Sequence, residues 1–138
     1  MQAVTSPPRT YTARFELVSD RFWNSVQHEF PRPAGRPGRR FSDARTMVEA
    51  IIYRQRCAIP WRQVPEVFGH WQTIWTWNQR ILTDGSWERA RAEWRRQSPD
   101  EKDPTRPTVQ VEMARVHRLA TSVARRPHGW VELEFILP

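Results

Sequence analysis

Apolar residues recur at helical spacing through most of the first hundred positions. Phe22, Trp23, Val26 and Phe30 lie about one turn apart, behind Ser19 as a cap and Asp20 at the positive end of the dipole. They predict a helix that Pro31 ends. Met47, Ala50, Ile51 and Arg54 form a second stripe, widened by Val48, Ile52 and Tyr53, which predicts the most buried helix, opened by Ser42-Asp43 and running to about Cys57. Pro60 and Pro65 then break the chain into short turns closed by Gly69. A long helix follows over Trp71–Thr83, stopped by Asp84-Gly85, and Ser86 caps a last one in which Trp87 and Trp94 share a face. Residues 1–14 lack periodicity and read as a loose lead-in; residues 98–107 read as a linker, and 108–112 (TVQVE) alternate as a short strand. The expected fold is mainly α: a small helical bundle of helix-turn-helix type over residues 15–97 with a basic loop, and then a short, incomplete strand-containing tail over 108–138.

The Trp71–Thr83 helix divides sharply when turned at about 100° per residue. Trp71, Ile74, Trp75, Asn78, Ile81 and Leu82 cluster on one side. Gln72, Thr73, Thr76, Gln79, Arg80 and Thr83 gather on the other, with Trp77 at the border. The polar side carries amides, hydroxyls and one arginine but no carboxylate. An ordinary solvated face mixes Glu with Lys or Arg, whereas a face laid against base edges and phosphates excludes acids and favours Gln, Asn, Thr and Arg. Trp23, Trp61, Trp75, Trp87 and Trp94 read as core or near-core, and Trp77 as the tryptophan to consider for nucleic-acid contact, including RNA.

Charge points the same way. The formal net charge is +7, and every basic residue except Lys102 is arginine, whose fork matches phosphate oxygens. Residues 31–40 (PRPAGRPGRR) hold no acid and read as an extended basic arm. Arg36, Arg39 and Arg40 of that arm, with Arg45, are candidate phosphate or minor-groove contacts, and Gln72, Thr73, Thr76, Gln79 and Arg80 are candidates for base or adjacent phosphate contact. Cys57 is the one cysteine, which excludes an intrachain disulfide and a cysteine-based zinc site, and the four histidines show no ligand spacing. No apolar run approaches the ~18 residues of a membrane span. A cytoplasmic protein, nucleoid-associated when bound to double-stranded DNA, is expected.

No P-loop, nucleophile elbow or H-E-x-x-H motif occurs. The anchors that do occur are Gly35-Arg36-Pro37, Asp43-Ala44-Arg45, Trp61-Arg62-Gln63-Val64-Pro65, Phe68-Gly69-His70-Trp71-Gln72-Thr73-Ile74 and Asp84-Gly85-Ser86-Trp87. In this order and spacing, the stretch over about residues 17–95 resembles the N-terminal region of bacterial insertion-sequence DDE transposases. The tail resembles the start of their RNase-H-like catalytic domain: Val109-Gln110-Val111-Glu112 stands where members read V-x-V-D, followed by Arg115-Val116-His117-Arg118-Leu119-Ala120 and His128-Gly129-Trp130-Val131-Glu132-Leu133.

The resemblance implies DNA as partner, specifically the terminal inverted repeats of an insertion element, with homo-oligomerisation or association with a complete transposase. It makes Glu112 the counterpart of the first catalytic carboxylate. Mg²⁺ or Mn²⁺ is expected only for a complete transposase and no cofactor for this chain, because one carboxylate cannot hold two metal ions. A DNA-binding part without strand-transfer activity of its own is the leading expectation. One half of a split transposase completed in trans, or a degenerate relic, are the alternatives.

Overall fold

The computed structural model describes residues 7–31 and 43–137. Seven consecutive residues of helix α2 (Ala44–Cys57), from Met47 to Tyr53, are buried, which puts this helix at the centre of the core. Asp43 caps α2 through its side chain, and Ala58 closes it in the left-handed conformation. Helix α1 (Asp20–Val26) starts at Ser19, whose hydroxyl accepts the Phe22 N–H. Helices α3 (Trp71–Thr83) and α4 (Ser86–Gln97) complete the bundle, α1 lying on α4 and α3 touching both α2 and α4. Aromatic rings fill the seams: Phe22 meets Trp94 edge-on at 5.2 Å, Trp23 stacks on Phe30 at 5.5 Å, and Phe30 meets Trp87 at 6.2 Å. The mainly helical expectation holds.

Three expectations are corrected. Of the lead-in expected over residues 1–14, residues 1–6 lie outside the described residues and residues 9–14 belong to a strand, β1 (Arg9–Glu16), because Ala13 and Phe15 alternate inward against the core. Residues 108–112 form no strand. Val111 opens helix α5 (Val111–Leu119), where Met113 and Val116, three apart, are buried while Val111 is 74% exposed. Ser86 does not cap α4; it is the helix's first residue, and the preceding Asp84 carboxylate accepts both its N–H and its hydroxyl. The chain continues from α5 into β2 (Ala120–Arg126) and β3 (Trp130–Leu137).

The three strands form one antiparallel sheet in the order β1-β3-β2. Ala13 and Val123 both stand opposite Leu133, and Phe15 stands opposite Val131, which puts an apolar face against the helices. The joint between sheet and bundle is ionic at its centre. Glu49 of α2 is 3% exposed, and its Oε2 accepts from Arg125 Nε and Nη2 of β2 at 3.0 and 2.8 Å. Arg45, one turn earlier, approaches the other oxygen at 3.4 Å and donates to the Val18 carbonyl at 2.9 Å and Asp20 at 2.8 Å. Asp20 also meets His128 Nδ1, and hydrogen bonds from Arg45 and His128 hold its carboxyl below the usual carboxylate range. Burial pushes the Glu49 carboxyl upward against the pull of Arg125 and Arg45. Beside this network Gly129, at φ +84°, lends its carbonyl to Leu17 N–H at 2.8 Å, and an added Cβ would stand 1.6 Å from the Val18 oxygen.

Two outcomes follow. Gly129→Ala meets both a backbone clash and a disfavoured φ, so it should lower unfolding free energy by roughly 3 kcal/mol or more in a urea titration. Arg125→Met leaves a buried carboxylate half-paired and should cost about 2 kcal/mol near neutral pH, below the full cost of breaking a buried pair because Arg125 is part-exposed. A carboxyl with a raised folded pKa gives up stability as pH rises through that pKa. The variant's deficit should therefore shrink as titrations are repeated at progressively more acid pH.

Candidate nucleic-acid interface

Residues 58–70 join α2 to α3 through two single turns, Trp61–Gln63 and Glu66–Phe68. Two cation–π stacks pin this connection: Arg54 lies 4.1 Å from the Trp61 ring centre, and Arg62 lies 4.8 Å from that of Trp71. Phe68 is buried against Tyr53 at 5.3 Å. Gly69 takes φ +115°, which an L side chain rarely adopts, and releases the chain into extended His70, the residue before α3. The W-R-x-V-P-x-x-F-G-x-W anchors are thus the hardware that sets the direction of α3.

The outward side of α3 carries Gln72, Thr73, Thr76, Gln79, Arg80 and Thr83, all exposed. Thr76 and Thr83 donate their hydroxyl hydrogens to the Gln72 and Gln79 carbonyls, at 2.9 and 2.7 Å, leaving oxygen lone pairs directed away from the backbone. The first acid after His70 is Asp84, beyond the helix end. Its carboxyl is held below the usual range although burial works against this, because it accepts from the Ser86 hydroxyl and N–H and lies near Arg89 and Arg80.

The placement of two tryptophans is corrected. Trp77 is 8% exposed and belongs to the core with Ile74 and Ile81, whereas Trp75 is 43% and Leu82 53% exposed. Trp75 and Trp77 lie about 200° apart on the helix, so only one can face inward. Periodicity alone does not choose; packing against both α2 and α4 turns the buried side toward Trp77. The exposed side therefore mixes amides, hydroxyls and one arginine with two large apolar groups.

Arg36, Arg39 and Arg40 lie outside the described residues. Arg45 is committed inward, to Val18, Asp20 and Glu49, with its side chain only 20% exposed, so its guanidinium is not presented to a phosphate. Many other arginines are also engaged within the chain: Arg21 with Glu101, Arg89 with Glu29 at 2.9 Å, Arg96 with Glu93 at 2.7 Å, and Arg126 with Glu132 at 3.0 Å. Arg62 and Arg80, beside and on α3, make no ion pair within 4.0 Å among the described residues. Arg62 is a contact candidate that reading the chain alone passed over. Its signal was its place beside Trp61, one residue into the turn.

Glu112 does not stand on a strand. It is exposed in the first turn of α5, and no group of three or more His, Cys, Asp or Glu side chains among the described residues could hold a metal ion. The described residues thus do not fit the divalent ions of a strand-transfer centre. No helix among them is long and apolar enough to cross a membrane.

Comparison with known proteins gives one assignment. The family model described as "Putative transposase of IS4/5 family" matches residues 18–91, which spans α1 to the first half of α4. No curated protein and no solved structure matches.

Because these four side chains are exposed and make no hydrogen bond or ion pair with another element among the described residues, alanine at Gln72, Thr76, Gln79 or Arg80 should each change unfolding free energy by no more than about 0.5 kcal/mol. Thermal melts of the four variants check this; a loss of several degrees at any of them would mean that the side chain supports the fold.

Proposed function

The chain belongs to the IS4/5 transposase family, and we propose that its part in transposition is to recognise the ends of the insertion element, with the outward side of α3 as the reading surface. The observation that carries this is the exposed, carboxylate-free run of Gln72, Thr73, Thr76, Gln79 and Arg80 on a helix fixed by a rigid turn. Amides and arginine make paired hydrogen bonds to base edges, and no acid on the helix repels the backbone. Arg62, beside the first turn of α3 and stacked on Trp71, supplies a phosphate clamp whose orientation is already fixed. The basic arm with Arg36, Arg39 and Arg40 adds backbone or minor-groove contacts in this reading.

Strand transfer lies outside what the described residues would do alone. Glu112 has no companion carboxylates among them, so chemistry on the DNA falls to acidic residues elsewhere, in this protein or in a complete transposase bound to the same ends.

Gel-shift titration against duplexes carrying the element's terminal repeats tests the reading. Binding should weaken steeply with added salt, since each phosphate contact contributes a slope of about 0.9 in log affinity against log salt. Arg80→Ala combined with Gln72→Ala should cut the preference for the repeat over scrambled duplex by about ten-fold or more. A double variant that keeps its full preference would remove α3 as the reading helix.

A further inference from the structure

We propose that Trp75 is a specificity residue of this surface, packing its exposed indole on the 5-methyl group of a thymine in the major groove. The proposal rests on the reading of α3 as the DNA-facing helix and adds to it a named base feature.

The starting point is a large apolar group left in water on the outward side of α3. Trp75 is 43% exposed, although the helix holds Trp77 inside two positions away. Its neighbours on the exposed side are Gln72 and Thr76, with Gln79 one turn on. They are amides and a hydroxyl, so the indole is ringed by groups suited to base edges. The choice of occupant follows from charge. Between His70 and Asp84 there is no carboxylate; Arg62 stacks on Trp71, one turn before Trp75, and Arg80 lies on the same helix about 140° around from it. An exposed ring on a carboxylate-free helix that carries arginine suits a polyanion with an apolar spot on its groove floor. In the major groove of DNA the thymine methyl is the one apolar group that distinguishes base pairs. A second copy of this chain would bring the same arginines against one another.

Leu82 extends the apolar stripe, being seven residues from Trp75 and 53% exposed. It lies about 10 Å further along the helix axis, too far to touch the same methyl, which makes it an internal control.

The test uses the full chain and a pool of duplexes randomised over a central window. Wild type is used to select a preferred sequence, and each thymine of that sequence is then replaced singly by deoxyuridine, removing the methyl and nothing else. Wild type should lose about four-fold in affinity at one thymine, the value of one buried methyl-sized group. Trp75→Ala, checked by circular dichroism to be folded, should be insensitive to that replacement, while Leu82→Ala should keep it. A Trp75→Ala protein that still loses affinity at the same thymine, or a wild type indifferent to every methyl, overturns the role of Trp75 and leaves the α3 reading intact. If wild type selects no sequence at all, the reading and this inference fall together. If sedimentation shows a dimer that Trp75→Ala dissolves, the ring serves self-association and the proposal is wrong.

Discussion

A carboxylate with almost no access to water holds the two halves of this fold together. Glu49 is 3% exposed, in the middle of the central helix, and could not stay ionised there without Arg125 arriving from the sheet and Arg45 from the preceding turn. The requirement is directional. Arg125 reaches Glu49 only if β2 lies beside β3 in its observed register, and Arg45 can donate to Val18 and Asp20 only if the start of α1 crosses there. Apolar packing alone would tolerate some sliding of sheet over helices. Three charged side chains with defined donors and acceptors tolerate far less. The D-x-R anchor gains its meaning here: Asp43 begins the helix, and Arg45 locks it to its neighbours.

The same economy governs the outward side of α3. Rigid elements carry a recognition surface better than loops do, because side chains placed beforehand lose less entropy on binding. Two arginine–indole stacks and a left-handed glycine fix the turn ahead of α3, and Ile74, Trp77 and Ile81 fix its rotation. The helix spends its apolar side on the bundle and leaves its amides and Arg80 outward. Several other arginines, Arg89, Arg96 and Arg126 among them, are paired with carboxylates within the chain, whereas Arg62 and Arg80 have no ion-pair partner among the described residues.

Much of the bundle was legible in the chain. Capping residues placed the starts of α1 and α2 within a residue, and α2 and α3 run between the residues expected of them, whereas α1 stops at Val26 and a single turn over Gln27–Glu29 carries the chain to Phe30. The sheet was not. Tyr11, Ala13 and Phe15 alternate clearly enough, but their partners Val131, Leu133 and Phe135 lie at the far end of the sequence, and neither run signals a strand strongly without the other. At residues 108–112 a five-residue alternation competed with the helical spacing of Met113 and Val116, and burial decided for the helix. On α3 the polar candidates came out exposed, while the choice between Trp75 and Trp77 was beyond periodicity because either could serve as the apolar member. Arg45 could not be separated from the surface arginines, since its partners are distant in sequence.

The pairing of β1 with β3 also bears on how the molecule comes into being. The ladder joins Arg9 to Leu137 and Glu16 to Trp130, so β1 leaves the ribosome well before β3, its neighbour in the sheet, is made. The helices can meet their neighbours earlier, from contacts closer along the chain. During that interval Phe15 and Tyr11 lack their partners Val131 and Phe135, and an unpaired strand with exposed apolar side chains is open to misassociation.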